Sequence, residues 1–285
     1  MALPQKRALL IAGPTASGKS ALALELAHER NGVIINADAI QVYDALRILS
    51  ARPTAAAEAL APHRLYGHVA ATDVYSVAAW LNDARREIAA AWEAGRLPIV
   101  TGGTGLYFRA LEQGLAPVPP VPADIRAAWR GFEGDLHEEL LQRDPEMAAR
   151  LSPGDRQRLI RALEVFEATG RSLHDWQRQG GAEAPLSGAE VERIFLDVPR
   201  SELHARAAAR FQTMLGAGAL DEARAMMDVD PALPVMKAIG LRELMSHLRG
   251  EISLDEAVAA AETATRRYIK RQNTWWRGQM AHWRQ

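Results

Sequence analysis

The chain contains no cysteine. That excludes disulfides, thiol nucleophiles, iron–sulfur clusters and Cys-ligated zinc together. Lysine is almost absent: Lys6, Lys19, Lys237 and Lys270 are the only four, so arginine carries nearly all of the positive charge. No apolar run approaches the roughly 20 residues of a membrane span, and the short start Ala8–Ala12 does not make a signal-peptide core. The cytoplasm is therefore expected, with no membrane partner. Acidic residues are missing from Thr263 to Gln285, where Arg266, Arg267, Lys270, Arg271, Arg277 and Arg284 fall. The formal net charge of the whole chain is only −1, so charge distribution carries more information than its sum. The 285 residues, 48% of them hydrophobic, are enough to bury a core in one or two domains.

What is present reads as alternating strand and helix. Arg7–Ala12, Val33–Asn36 and Leu97–Thr101 are short apolar strand runs. The segment from Ala21 to Arg30 reads as a helix. In Ser76–Ala94 the positions Val77, Trp80, Leu81, Ala84, Ile88 and Trp92 form one helical stripe, with Ser76 as N-cap and Gly95 as stop. This alternation predicts an α/β protein with a parallel sheet and a ligand site at the carboxyl ends of its strands. Pro117, Pro119, Pro120 and Pro122 then interrupt the chain. From Asp124 to about Ser172 the pattern is purely helical, 180–188 is loop-like, Val191–Val198 returns to strand, and helices follow Pro199, the last near Leu254–Gly278. The expected organisation is an α/β core over 1–116, a helical insertion over 117–190, and a return strand with C-terminal helices over 191–285.

Gly13-Pro14-Thr15-Ala16-Ser17-Gly18-Lys19-Ser20 fits the phosphate-loop pattern, after a strand and before a helix. Glycines permit positive φ, so successive N–H groups converge on one anion, and the helix N-terminus adds partial positive charge. Lys19 supplies a full charge, and the Ser20 hydroxyl is a Mg²⁺ ligand candidate. The motif implies a di- or triphosphate and leaves open whether phosphate is transferred or departs. Two further candidates sit on the same rim. Asp38 follows the second strand and reads either as a proton acceptor or as a turn cap. Thr104, in Gly102-Gly103-Thr104-Gly105-Leu106-Tyr107, reads as an N-cap whose hydroxyl also reaches the rim. The basic, aromatic run Thr265–Gly278 favours a nucleic-acid or phosphate surface over a plain solvated face.

These motifs together resemble the bacterial tRNA dimethylallyltransferase family. The resemblance rests on the phosphate loop, Asp38-Ala39-Ile40-Gln41-Val42-Tyr43, Pro62-His63-Arg64-Leu65 and Gly102–Tyr107. It continues through Arg158-Leu159-Ile160-Arg161-Ala162-Leu163-Glu164-Val165, Ala238-Ile239-Gly240 and Lys270-Arg271-Gln272-Asn273-Thr274-Trp275, in the family's order. It implies a phosphate-loop NTPase-like fold and transfer of a dimethylallyl group from dimethylallyl diphosphate to N6 of the adenosine 3′ of the anticodon, with Mg²⁺ on Ser20. It implies Asp38 as base, Thr104 as orienting residue, and Arg210 beside the phosphates. Contact with the tRNA anticodon stem-loop falls by resemblance to Asp38, Ala39, Ile40, Gln41, Arg126, Gln157, Arg158, Leu159, Ile160, Arg161, Lys237, Ala238, Ile239, Gly240, Leu241 and Arg242. For Arg158 and Arg161, pairing with Asp155 and Glu164 three residues away is an equal alternative. The chain is expected to act as a monomer. It departs from the family pattern at Ala39, commonly Ser, and at Ile48-Leu49-Ser50-Ala51-Arg52-Pro53, usually Ile-Gly-Thr-Ala-Lys-Pro. An adenylate isopentenyltransferase and a phosphate-loop small-molecule kinase are the alternatives. The helical insertion argues against the first, and the series of motifs beyond the loop against the second.

Overall fold

The computed structural model describes residues 5–181 and 184–284, without the Arg284 side chain. Residues 182 and 183 of the loop expected over 180–188 therefore lie outside the described residues, as does the Arg284 side chain. In chain order the elements begin with β1 (Arg7–Ala12), α1 (Lys19–Glu29), β2 (Gly32–Asn36), α2 (Ala55–Leu60), β3 (His63–Arg64), α3 (Val77–Glu93), β4 (Leu97–Gly102) and α4 (Gly105–Gln113). Five helices follow: α5 (Ala123–Gly131), α6 (Leu136–Arg143), α7 (Pro145–Ala148), α8 (Arg156–Thr169) and α9 (Leu173–Arg178). The chain then forms β5 (Glu190–Phe195), α10 (Arg200–Gly216), α11 (Ala219–Ala225), α12 (Leu241–Leu248) and α13 (Leu254–Gln279). The chain divides into two compact units, one formed by residues 1–111 and 186–285, the other by 112–185.

The first unit holds a five-stranded parallel sheet in the order β3-β2-β4-β1-β5. Its central strands are apolar on both faces, because helices cover each side of a parallel sheet. Leu9, Ile11, Ile34 and Ile99 meet Ala23, Leu26 and Ala27 of α1 in one cluster. The α3 stripe buries Trp80, Leu81, Ala84 and Ile88 as its periodicity requires, and the Ser76 hydroxyl caps the helix by accepting from Ala79 N–H. β5 is shorter than its sequence suggests. It follows β1 only to Ala12, where the phosphate loop begins, and Pro199 then caps α10. The second unit is a helical cluster with its own core, in which Trp129, Leu140, Leu159 and Leu163 are buried.

Where the rim forms, two backbone segments come unusually close. A Cβ on Gly102 would lie 2.1 Å from the Ala37 carbonyl oxygen. Ala37 N–H donates to Thr101 O at 2.7 Å, and Thr104 N–H donates to Ala37 O at 3.1 Å. The buried Asn36 side chain fixes the turn after β2 by accepting from Asp38 N–H and donating to the Asp38 and Leu65 carbonyls. Gly102→Ala therefore forces backbone apart and should cost about 3 kcal/mol, the upper range for overpacking. Thermal unfolding measures it, and an unchanged midpoint would show that the two segments yield freely.

Candidate active site

The phosphate loop leaves β1, which lies between β4 and β5, and enters α1. Of its two glycines only Gly18 adopts positive φ, at 94°, while Ala16 does so without being glycine. Gly13 serves packing instead: a Cβ there would meet Ser17 Oγ at 2.7 Å and Leu196 at 3.2 Å. Ser17 N–H closes a turn onto Pro14 O. Among the described residues, the N–H groups of Ala16, Gly18, Lys19 and Ser20 have no protein acceptor, as expected of a helix start shaped for an anion. Lys19 Nζ donates to Pro14 O at 3.2 Å within the loop itself. Burial lowers its pKa to about 8, partly opposed by Asp38 and assisted by Arg210. Ser20 is exposed at the start of α1.

Asp38 realises both readings of its type. Oδ1 accepts from Ile40 N–H at 2.9 Å and more weakly from Gln41 N–H at 3.4 Å, capping the turn. Oδ2 has no hydrogen-bond partner among the described residues, and Asp38 lines a cavity of about 510 Å³. Its charge reaches Lys19, Arg210, Tyr66, Tyr107 and Tyr268. Burial, with Asp38 adding to it, raises the three phenols well above their ordinary value, so they stay neutral. The Thr104 hydroxyl accepts from Ala39 N–H at 3.0 Å. It thus ties the loop after β4 to the residue following Asp38.

The remaining cavity wall comes from α10 and α13. Arg210 Nη2 donates to Thr15 Oγ1 at 2.7 Å, and burial lowers its pKa. Phe211, Met214, Leu49, Ile239 and Trp275 supply apolar lining. Gln272, buried on α13, accepts from Thr15 N–H at 2.9 Å and donates to Gly103 O at 3.0 Å. Tyr268 and Gln272 are site residues that reading by motif misses. Their signal was a helical stripe, Thr265-Tyr268-Gln272-Trp275-Trp276 at spacings of three and four, inside the basic run. Trp275 permits the approach only because residue 105 is glycine, where a Cβ would lie 2.1 Å from its ring.

A family model described as IPP transferase matches residues 41–279, and one described as isopentenyl transferase matches 6–69. The chain is 55% identical to a tRNA dimethylallyltransferase of Methylobacterium nodulans, covering 98% of this chain and 94% of the relative. It is 52% identical to that of Rhodospirillum centenum, over 96% and 89%. The chain belongs to the tRNA dimethylallyltransferase family. Its fold agrees with the crystal structure of a tRNA isopentenylpyrophosphate transferase from Bacillus halodurans, at 33% identity and TM-score 0.68, covering 96% and 87% of the two chains. It also agrees with a eukaryotic dimethylallyltransferase acting on tRNA, at 25% identity and TM-score 0.81, covering 95% and 70%.

Against that family, the residues assigned to tRNA fall into distinct groups. Asp38, Ala39, Ile40, Lys237 and Ile239 line the cavity. Gln41 instead commits its amide nitrogen to the Ser50 and Ala51 carbonyls, each at 2.9 Å. Arg242 holds the Met236 and Pro231 carbonyls. Leu159, Ala238 and Leu241 are buried in hydrophobic cores, which removes their side chains from any RNA contact. Gly240 serves the backbone: its φ is 91°, and a Cβ would lie 2.6 Å from Phe211. Arg126, Gln157, Arg158 and Arg161 are exposed and Ile160 is half-buried, all in the helical unit. Arg158 pairs with Asp155 at 3.3 Å and Arg161 with Glu164 at 3.6 Å. These are the pairings the spacing offered; Glu164 is buried, but both arginines stay exposed and accessible to phosphate.

The basic run of α13 also divides. Trp276 is fully buried against Phe108, Phe195 and Trp283, so one of the two tryptophans is core rather than surface. Arg267, Lys270 and Arg271 line an open groove with Thr274 and Trp275.

Two predictions follow from this geometry. In the free protein Lys19 loses its proton as pH rises through about 8, so the affinity for dimethylallyl diphosphate should fall above that value and level off below it. Roughly tenfold per unit is the limiting slope, and calorimetry one unit either side of the midpoint measures it. A Lys19→Met protein that keeps the same slope would sink the assignment. Removing charge at Arg267 and Lys270 should weaken tRNA binding and reduce its salt slope by about one per residue. An unchanged slope would make that face purely structural.

Proposed function

We propose that the cavity transfers a dimethylallyl group from its diphosphate to N6 of the adenosine immediately 3′ of the anticodon in tRNA, releasing diphosphate. The C1–O bond of the donor breaks, the C1–N6 bond forms, and a proton leaves N6. The observation that carries this reading is a free carboxylate oxygen on Asp38 in the same cavity as Thr15 and Arg210 of the anion corner. The adenine amine is a weak nucleophile, and a carboxylate within hydrogen-bond reach takes its proton as the new bond forms. Asp38 performs that role, with Oδ1 anchored in its turn and Oδ2 free to accept. Thr104 positions the Asp38 segment through Ala39 N–H.

The departing diphosphate gains one unit of negative charge as the C1–O bond breaks, and that charge must be met in place. The unpaired loop N–H groups, Lys19 and Arg210 meet it without reorganising, which is where electrostatic stabilisation is most effective. Mg²⁺ suits this corner: one exposed protein hydroxyl, Ser20, with phosphate and water oxygens, is a donor set it accepts. When bound it would spread charge over the leaving diphosphate. The allylic carbon sits among Phe211, Met214 and Ile239, and that apolar lining excludes the water that would hydrolyse it.

The target base reaches this cavity only by leaving its stack in the anticodon loop. The exposed arginines of the helical unit and of α13 suit the phosphates of the stem-loop. The working unit in this reading is a monomer.

A label-transfer assay tests the reading, with labelled dimethylallyl diphosphate offered to unmodified tRNA and free AMP together. Label on tRNA alone is expected. Label on AMP would move the acceptor to a free nucleotide, the reading that the match to the isopentenyl transferase model over residues 6–69 leaves in play. Asp38→Ala should retain tRNA binding and lose about 10²–10⁴-fold in turnover. Near-normal turnover would remove Asp38 as the base.

A further inference from the structure

We propose that Gln272 is a positioning residue that sets the distance between the two substrates; this rests on the dimethylallyl transfer just described. Its amide is buried, with 6% of the residue exposed, and both ends are committed. Oε1 accepts from Thr15 N–H at 2.9 Å, in the phosphate loop. Nε2 donates to Gly103 O at 3.0 Å, in the loop after β4. The amide orientation is fixed by these partners, since a flip would oppose donor to donor and acceptor to acceptor. Gly103 leaves no slack, because a Cβ there would lie 2.4 Å from Nε2.

Each end of this bridge leads to one substrate. Thr15 Oγ1 also receives Arg210 at 2.7 Å, so the loop that holds the diphosphate is gripped at both its backbone and its side chain. Gly103 precedes Thr104, whose hydroxyl holds Ala39 N–H beside Asp38. The path Thr15–Gln272–Gly103–Thr104–Ala39–Asp38 therefore joins the anion corner to the proton acceptor through side-chain and backbone bonds. The reacting carbon and nitrogen must start about 3–3.5 Å apart, and a 1 Å error in placement costs on the order of 100-fold in rate. A bridge that fixes the gap between the two loops acts on this quantity and on neither binding step alone.

The test compares the parent with Gln272→Met, near in size but without either polar end, and Gln272→Glu, which keeps an acceptor for Thr15 N–H and loses the donor to Gly103 O. Four measurements are needed: thermal unfolding, binding of inorganic diphosphate, binding of tRNA, and the single-turnover rate with both substrates saturating, scaled to folded protein. Gln272→Met should bind each ligand within about threefold of the parent and react on the order of 10–100-fold more slowly. Gln272→Glu should be slowed at least as much, because its second oxygen opposes Gly103 O where Nε2 donated. A single-turnover rate in both variants within threefold of the parent would overturn the proposal and leave Gln272 as packing. So would losses confined to diphosphate affinity. Should neither variant fold, amide exchange in the unliganded parent decides: Thr15 N–H is expected to be protected, and fast exchange rejects the bridge. If the parent itself labels no tRNA, the transfer reading fails, while Thr15 exchange and diphosphate binding still report on the bridge.

Discussion

Four backbone N–H groups at the start of α1, those of Ala16, Gly18, Lys19 and Ser20, have no protein oxygen to accept them. Gly18 and Ser20 are exposed and Ala16 and Lys19 half-buried, so water meets these donors in the free protein and an anion can take its place. Lys19 feels the same constraint: burial lowers its pKa to about 8, and Pro14 O is the only hydrogen-bond acceptor it has among the described residues. The neighbouring architecture keeps this electropositive corner open. Gly13 packs under it, Gln272 and Arg210 hold Thr15, and α10 and α13 provide the wall from which both reach in.

A second constraint keeps Asp38 from closing on the corner. A carboxylate beside an unmatched lysine would neutralise it if the two could meet. Asn36 makes three hydrogen bonds around the turn, and Asp38 Oδ1 caps that same turn. The charges therefore feel one another while Asp38 remains held in its own segment. In the proposed reaction the leaving group and the proton therefore have distinct destinations.

How much of this was legible in the sequence depends on the range of the interaction. The strand at Arg7–Ala12, the α3 stripe with its Ser76 cap, and the phosphate loop are written in local periodicity and short motifs, and the structure places them accordingly. Asp38 and Thr104 were legible because each follows a strand, and parallel topology brings strand ends together. Gln272 was not legible as a bridge, because its partners lie 257 and 169 residues away. Trp276 misled for a related reason. Adjacent tryptophans among arginines read as a surface, yet on a helix neighbours lie about 100° apart, so one can face the core while the other lines a cavity. Gly13 does not use the positive φ that glycine permits; it gives room to Ser17 within the loop and to Leu196 far along the chain.

The same arrangement explains why a phosphate loop serves alkyl transfer here. In a kinase such a loop positions a phosphoryl group for attack at phosphorus, and the acceptor must approach the terminal phosphate. Beyond Thr15 and Arg210 this cavity continues into Phe211, Met214, Leu49 and Ile239. An apolar wall has nothing to offer a phosphoryl acceptor. It suits a hydrocarbon attached to the diphosphate, and it places the electrophilic centre at carbon, outside the anion corner. Asp38 lines the same cavity, and in the proposed reaction its free oxygen takes the proton that the nucleophile sheds. The loop's task is then to hold a leaving group still, and the reaction it supports is set by what the neighbouring helices line the cavity with.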